Sequence, residues 1–113
     1  MITYKKFDEI YNERNKLPED GWIYIKEDDF QDLETATYFV LENEEDDPDD
    51  YVETEDDVVP KILFDIDKSI TGLVEFHTFK AIYENMEKLN KEFDREEKIE
   101  ALYHYVEEDT FLY

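Results

Sequence analysis

The chain is predicted to be a small α+β protein, a mostly antiparallel sheet with about three helices packed on one face. Two observations lead there. Apolar residues recur every three to four positions near both ends, and short β-branched and aromatic runs punctuated by turn residues lie between them. A helix, a few strands and then two helices is the element order of an α+β layer arrangement.

The elements follow in order. Tyr4, Phe7, Ile10, Tyr11 and Leu17 are spaced for an amphipathic helix over about residues 3–16, with Thr3 as N-cap and Pro18 beyond its end. Pro18-Glu19-Asp20-Gly21 is a turn, and Trp22-Ile23-Tyr24-Ile25 is the first strand. Glu27-Asp28-Asp29 breaks the apolar pattern, and Thr35 to Leu41 forms a second strand. Ile62-Leu63-Phe64-Asp65-Ile66 is a short buried element, strand or helical turn. Gly72 marks a break before Leu73-Val74-Glu75-Phe76, and a third strand falls in one of these two places. Phe79, Ile82, Tyr83, Met86 and Leu89 define a helix with Thr78 as a possible cap. Asp94-Arg95-Glu96-Glu97 has the form of a capping box before the last helix, which carries Ile99, Leu102, Tyr103 and Val106. Phe111-Leu112-Tyr113 docks as an apolar tail.

A length of 113 residues suits one domain spanning 1–113, with an acidic loop at about 42–57. The 9 Tyr, 8 Phe and 1 Trp supply enough apolar surface to argue against a disordered acidic tail. A formal net charge of −22 opposes compaction by self-repulsion, so stability is expected to rise with salt. The same charge disfavours direct contact with nucleic acid or anionic lipid, both of which need Lys and Arg against phosphate. With no cysteine there are no disulfides, thiolate metal sites or thiol nucleophiles. No run approaches a membrane span and Met1 to Lys6 lacks a signal-type apolar region, so a cytoplasmic location is expected.

The strongest functional signal is the run from Glu42 to Asp57, rich in Asp and Glu and without a single Lys or Arg. Charges so close repel and cannot enter an apolar core, so they are solvated or matched to a positive partner. Asp46, Asp47, Asp49, Asp50, Glu53, Glu55, Asp56 and Asp57 are the expected partner-binding acids, and Tyr51 adds amphipathic contact area among them. An extended backbone advances ~3.3 Å per residue, near the ~3.4 Å between charges along one DNA strand, so a line of carboxylates can imitate phosphates before a basic cleft. Glu27, Asp28, Asp29, Asp32 and Glu34 form a second acidic stretch that widens the field.

Catalytic and metal motifs fail on context. Ile62 to Ser69 resembles the nucleophile strand of haloacid-dehalogenase-type phosphatases, with Asp65 and Asp67 in the Asp-x-Asp positions. However, Ser69 replaces the preferred Thr or Val, and the chain that follows is too short for the remaining strands. As a calcium loop the same residues place Ile70 where Gly is needed and Phe76 where Glu is needed. His77 and His104 fall on separate elements without orienting partners. No enzyme activity, cofactor or metal is expected.

In the order of these features, the opening helix, Thr35 to Leu41 leading into the acidic segment, and the ending Ala101-Leu102-Tyr103-His104-Tyr105 through Asp109 and Phe111, the chain resembles small acidic bacterial immunity proteins of contact-dependent growth inhibition and related polymorphic toxin systems. The resemblance implies a non-enzymatic inhibitor that neutralises a cognate toxin domain, often a nuclease with a basic cleft. The alternative is a phage-type nucleic-acid mimic acting on a host restriction, CRISPR or DNA-binding protein.

Overall fold

The computed structural model describes residues 1–42, 51–54 and 57–113. Its centre is a four-stranded antiparallel sheet in the order β1-β3-β2-β6, built from β1 (Ile2–Tyr4), β2 (Trp22–Lys26), β3 (Tyr38–Val40) and β6 (Ile70–Glu75). A separate two-stranded ribbon pairs β4 (Tyr51–Glu53) with β5 (Val58–Pro60). The helices are α1 (Phe7–Asn12), α2 (Lys61–Ile66), α3 (Phe76–Glu87) and α4 (Arg95–Glu108), with 3₁₀ turns at Arg14–Lys16 and Glu27–Gln31. The molecule is a small α+β fold, as its sequence predicts.

Alternation along the central strands divides the interior into two cores, because successive side chains of a strand point to opposite faces. Ile23, Ile25, Tyr38 and Val40 point one way and pack with Phe7 and Ile10 of α1, Phe76, Phe79, Ile82 and Tyr83 of α3, and Ile99 and Leu102 of α4. These are the three helices expected on one face. Tyr24 and Phe39 point the other way and pack with Val59, Leu63 and Ile70, so α2 and the ribbon cover the second face. β2 and β3 are therefore apolar on both sides.

Several expectations are corrected. Thr3 does not cap a helix. Ile2-Thr3-Tyr4 extends along the outer edge of β3, with Ile2 opposite Val40 and Tyr4 opposite Tyr38, and the helix begins only at Phe7. The ladder available from β3 satisfies backbone groups that a helix would have used, and a strand suits Ile and Thr better. Ile62 to Ile66 is helical, and β6 is the strand left open between two positions. α3 starts at Phe76, not at a Thr78 cap. Thr78 lies inside the first turn and is buried. The second strand is confined to Tyr38–Val40, because Thr37 donates its N–H to Asp29 Oδ2 (3.2 Å) and leaves the ladder. Part of the acidic segment, expected as loop, forms the β4–β5 ribbon.

Local chemistry explains the rest. Gly21 closes the turn before β2 with φ 125°, a value that L side chains avoid, and its carbonyl accepts the Phe76 N–H (3.0 Å). Asp94 caps α4 by accepting the Glu97 N–H (2.8 Å) while Glu97 Oε1 accepts the Asp94 N–H (3.2 Å), the reciprocal box legible in the sequence. Two tyrosines fix the segment ahead of β3: Leu33 donates its N–H to Tyr103 Oη (2.7 Å), and Tyr38 Oη donates to the Leu33 carbonyl. Burial drives the Tyr38 phenol far above its usual range, so it stays protonated and keeps donating. At the C-terminus Tyr113 meets Phe93 (4.7 Å between ring centroids) and Phe111 meets Tyr105 (5.2 Å), yet Phe111, Leu112 and Tyr113 all stay exposed, so the expected apolar tail makes ring contacts without being buried.

Candidate partner-binding face

Every Lys and Arg of the chain lies outside Glu27–Pro60. The described part of that acid-only stretch reaches the second face of the sheet through the ribbon. Asp57 attaches it. At β6, Ile23 faces Val74 while Tyr24 faces Gly72, so Leu73 is the extra residue of a β-bulge. Beside the bulge, Gly72 donates its N–H to Asp57 Oδ2 (2.8 Å), joined there by Thr71 Oγ1 (3.1 Å), while Val58 donates its N–H to Asp57 Oδ1 (2.8 Å). The carboxylate thus clamps the ribbon to the sheet across fifteen positions of sequence. Thr54 binds the same residue: its N–H and hydroxyl both donate to the Asp57 carbonyl (2.8 and 2.9 Å) and its Oγ1 accepts the Asp57 N–H (3.1 Å).

At Gly72 the neighbouring side chains come close. A Cβ there would stand 3.0 Å from Asp57 Oδ2 and 3.2 Å from the Trp22 ring. Its absence lets Trp22 lie flat against β6 next to the clamp. Trp22 remains 41% exposed and stands between two clefts. One, of about 310 Å³, is lined by Trp22, Tyr24, Tyr51, Asp57 and Val58; the other, of about 130 Å³, runs toward Tyr105 and Asp109 of the last helix and its cap.

Further exposed apolar side chains lie on the ribbon and on α2. Val58 is 50% exposed, and α2 turns Ile62 (55%) and Ile66 (51%) outward, one above the other at i and i+4, while Leu63 is buried. Large apolar residues exposed together and rimmed by charge mark contact surfaces more often than isolated ones do.

Of the residues expected from charge, Tyr51, Glu53 and Asp57 are described. Tyr51 is half-buried opposite Pro60, Glu53 is exposed opposite Val58, and Asp57 is half-buried in its clamp. Asp46, Asp47, Asp49, Asp50, Glu55 and Asp56 lie outside the described residues. The second acidic stretch has local work. Asp29 and Asp32 accept backbone N–H groups of Thr37 and Glu34, and Glu34 pairs with Arg95, which also meets Asp8 (2.8 Å). Trp22, Gly72, Ile62 and Ile66 were not selected from sequence. The i, i+4 pair was readable once α2 is a helix, whereas the placement of Trp22 depends on which strands become neighbours.

The two carboxylates of the Asp-x-Asp pair are separated by role. Asp65 is exposed on α2. Asp67 Oδ1 accepts both the N–H and the hydroxyl of Ser69 (2.8 Å each), with Lys26 3.8 Å from its other oxygen, and these contacts hold its carboxyl below the ordinary range. It is a turn-forming residue. His77 lies at the surface 3.3 Å from Glu75, and His104 Nε2 is 3.3 Å from Thr110 Oγ1. Among the described residues no group of three or more His, Asp or Glu is placed to hold a metal ion, and no helix is long and apolar enough to cross a membrane.

A family model described as domain of unknown function (DUF7716) matches residues 5–113. The chain belongs to the DUF7716 family. No curated protein and no solved structure matches it. In this DUF7716 chain the match runs from just after β1 to the final tyrosine, and so takes in the ribbon, its Asp57 clamp and the bulge that receives it.

Proposed function

We propose that this DUF7716 protein is a non-enzymatic binding protein, an inhibitor of immunity type that docks a basic protein domain on the face formed by the β4–β5 ribbon, α2 and Trp22. The observation that supports this reading is the presence, on the ribbon, α2 and the neighbouring end of β2, of the acids Glu53 and Asp57 together with the exposed apolar residues Trp22, Val58, Ile62 and Ile66, in a chain whose stretch Glu27–Pro60 carries no Lys or Arg. Solubility alone calls for charge without apolar exposure. A protein interface calls for both, an aromatic or aliphatic centre inside a charged rim. The acids supply steering, which raises association rates toward about 10⁸–10⁹ M⁻¹s⁻¹ at low salt, and the apolar centre slows dissociation. Inhibition would follow from occlusion of a cationic cleft, for which a nuclease domain is the expected class.

The test is to express the product of the adjoining upstream gene with and without this protein. The expected result is growth arrest relieved by co-expression, and a complex of the two whose affinity falls steeply with salt. Absence of both rescue and complex overturns the immunity reading. A complex that forms only with a host DNA-handling enzyme would point instead to nucleic-acid mimicry.

A further inference from the structure

The cleft of about 310 Å³ beside Trp22 is more specific than a charged face requires, since among the described residues three aromatic side chains and one carboxylate line it: Trp22, Tyr24, Tyr51 and Asp57, with Val58. We propose that it receives a single cationic side chain of the partner, an arginine in preference to a lysine. The proposal rests on the reading that the partner is basic.

The lining sets the ligand class. Aromatic faces carry negative quadrupoles that attract a cation, most strongly for Trp, and a carboxylate at the wall supplies the counter-charge. No Lys or Arg lines the cleft, so an anion finds no partner there, and an uncharged apolar group would desolvate Asp57 without compensation. A second described cleft of about 310 Å³, near Tyr11 and Phe93, differs: Lys91 and Lys98 stand there beside Glu87 and Glu92, a lining that selects neither charge.

The geometry of Asp57 narrows the class further. Its position is fixed by the donors from Gly72, Thr71 and Val58, so the ligand does not have to order it. A carboxylate offers about four acceptor positions. Among the described residues two donors already occupy Oδ2 and one occupies Oδ1, which leaves one position, on Oδ1, for a single end-on hydrogen bond. A guanidinium can give that one N–H while its flat, weakly hydrated face stacks on an indole. An ammonium is compact and strongly hydrated, and would lose water from donors that the rings cannot replace.

Trp22 is the chain's single tryptophan and lines this cleft, so its fluorescence responds to occupancy, and Tyr51→Ala tells this cleft from the neighbouring one that Trp22 also borders. The probe is acetyl-Gly-Arg-Gly-amide, titrated at fixed ionic strength beside its lysine and citrulline counterparts. A saturable change is expected with the arginine peptide, weaker binding with lysine, and roughly tenfold or greater weakening with citrulline, which keeps the shape and loses the charge. Tyr51→Ala should weaken the arginine peptide by about two- to fivefold, the loss of one cation–π contact. Should that variant fold poorly, Trp22→Leu followed through the Gly72 amide resonance gives the same reading by a second route. No response to arginine, equal binding of citrulline, or indifference to both substitutions overturns the proposal, and equal binding of lysine overturns the arginine preference. Reversing Asp46, Asp47, Asp49 and Asp50 to Lys separates the two readings. If that reversal abolishes binding of the protein partner while the peptides never bind, the cleft assignment alone fails. If the peptides bind but no partner responds to the reversal, the partner reading alone fails.

Discussion

Removing the Asp57 side chain should loosen the ribbon from the sheet, and the structure sets the size of the effect. Asp57→Ala deprives three donors of their acceptor. Val58 N–H is exposed and the Thr71 hydroxyl can rotate, so water replaces most of those two contacts at small cost. Gly72 N–H is half-buried beneath the Trp22 ring, and its bond to a carboxylate is worth about 1.5–3 kcal/mol. One opposing term is electrostatic. Deleting one negative charge from a chain of net −22 relieves repulsion, by about 0.4 kcal/mol for each like charge ~10 Å away in water before screening. The net destabilisation is then about 2 kcal/mol for Ala. Asp57→Asn keeps an oxygen for Gly72 while losing the charge, and about 1 kcal/mol is expected. The assay is urea unfolding followed by helical circular dichroism, with urea chosen because guanidinium is itself a salt and would screen the repulsion. With m of about 1–2 kcal/mol/M, Ala should lower the midpoint by about 1–2 M. Hydrogen exchange at the Gly72 amide should accelerate in parallel. Both variants within about 0.5 kcal/mol of the parent, the range of an ordinary surface substitution, would refute the clamp.

Raising salt from about 0.01 to 0.15 M shortens the screening length from ~30 to ~8 Å, so the urea midpoint should rise, and a flat or falling midpoint would show that repulsion is unimportant. Leu102→Ala, at a fully buried position of α4, should cost about 2–5 kcal/mol by urea unfolding. Asp94→Ala removes the α4 cap and should cost about 1 kcal/mol, with Glu97→Ala costing less because it spares the Asp94 acceptor. For Asp67 the folded carboxyl is depressed from its ordinary 3.8, so its contribution is present above that value and is lost as pH falls below it through the folded value. Ser69→Ala removes one of the two donors, and an NMR titration of the Asp67 carboxyl should move back up toward 3.8.

Elements whose cause is local were legible in the sequence. The α4 box is carried by Asp94 and Glu97 alone, the turn at Gly21 by its own backbone, and β2 by its run of aromatic and β-branched residues. Elements whose cause is distant were not. Tyr4, Phe7 and Ile10 have helical spacing whether or not Ile2–Tyr4 pairs with β3, and only the pairing decides. The apolar run at Ile62–Ile66 is short enough for either helix or strand, and it is resolved by docking Leu63 into the second core. The face was legible by its charge and illegible by its architecture. Nothing adjacent in sequence connects Asp57 to Gly72, or Trp22 to Tyr51.

The Asp57 clamp adds a polar fixed point where polarity along the strands gives little guidance. A strand wetted on one side has its orientation dictated by which residues tolerate water, but β2 and β3 have oil on both sides, and an upside-down pairing would still bury them. Size alone discriminates weakly, with Tyr24 and Phe39 answering Ile23 and Val40. Gly72 gives its N–H to Asp57 at the edge strand β6, so the clamp holds the ribbon at one place along that strand and ties the second core to the sheet through a polar contact that oil alone would not position.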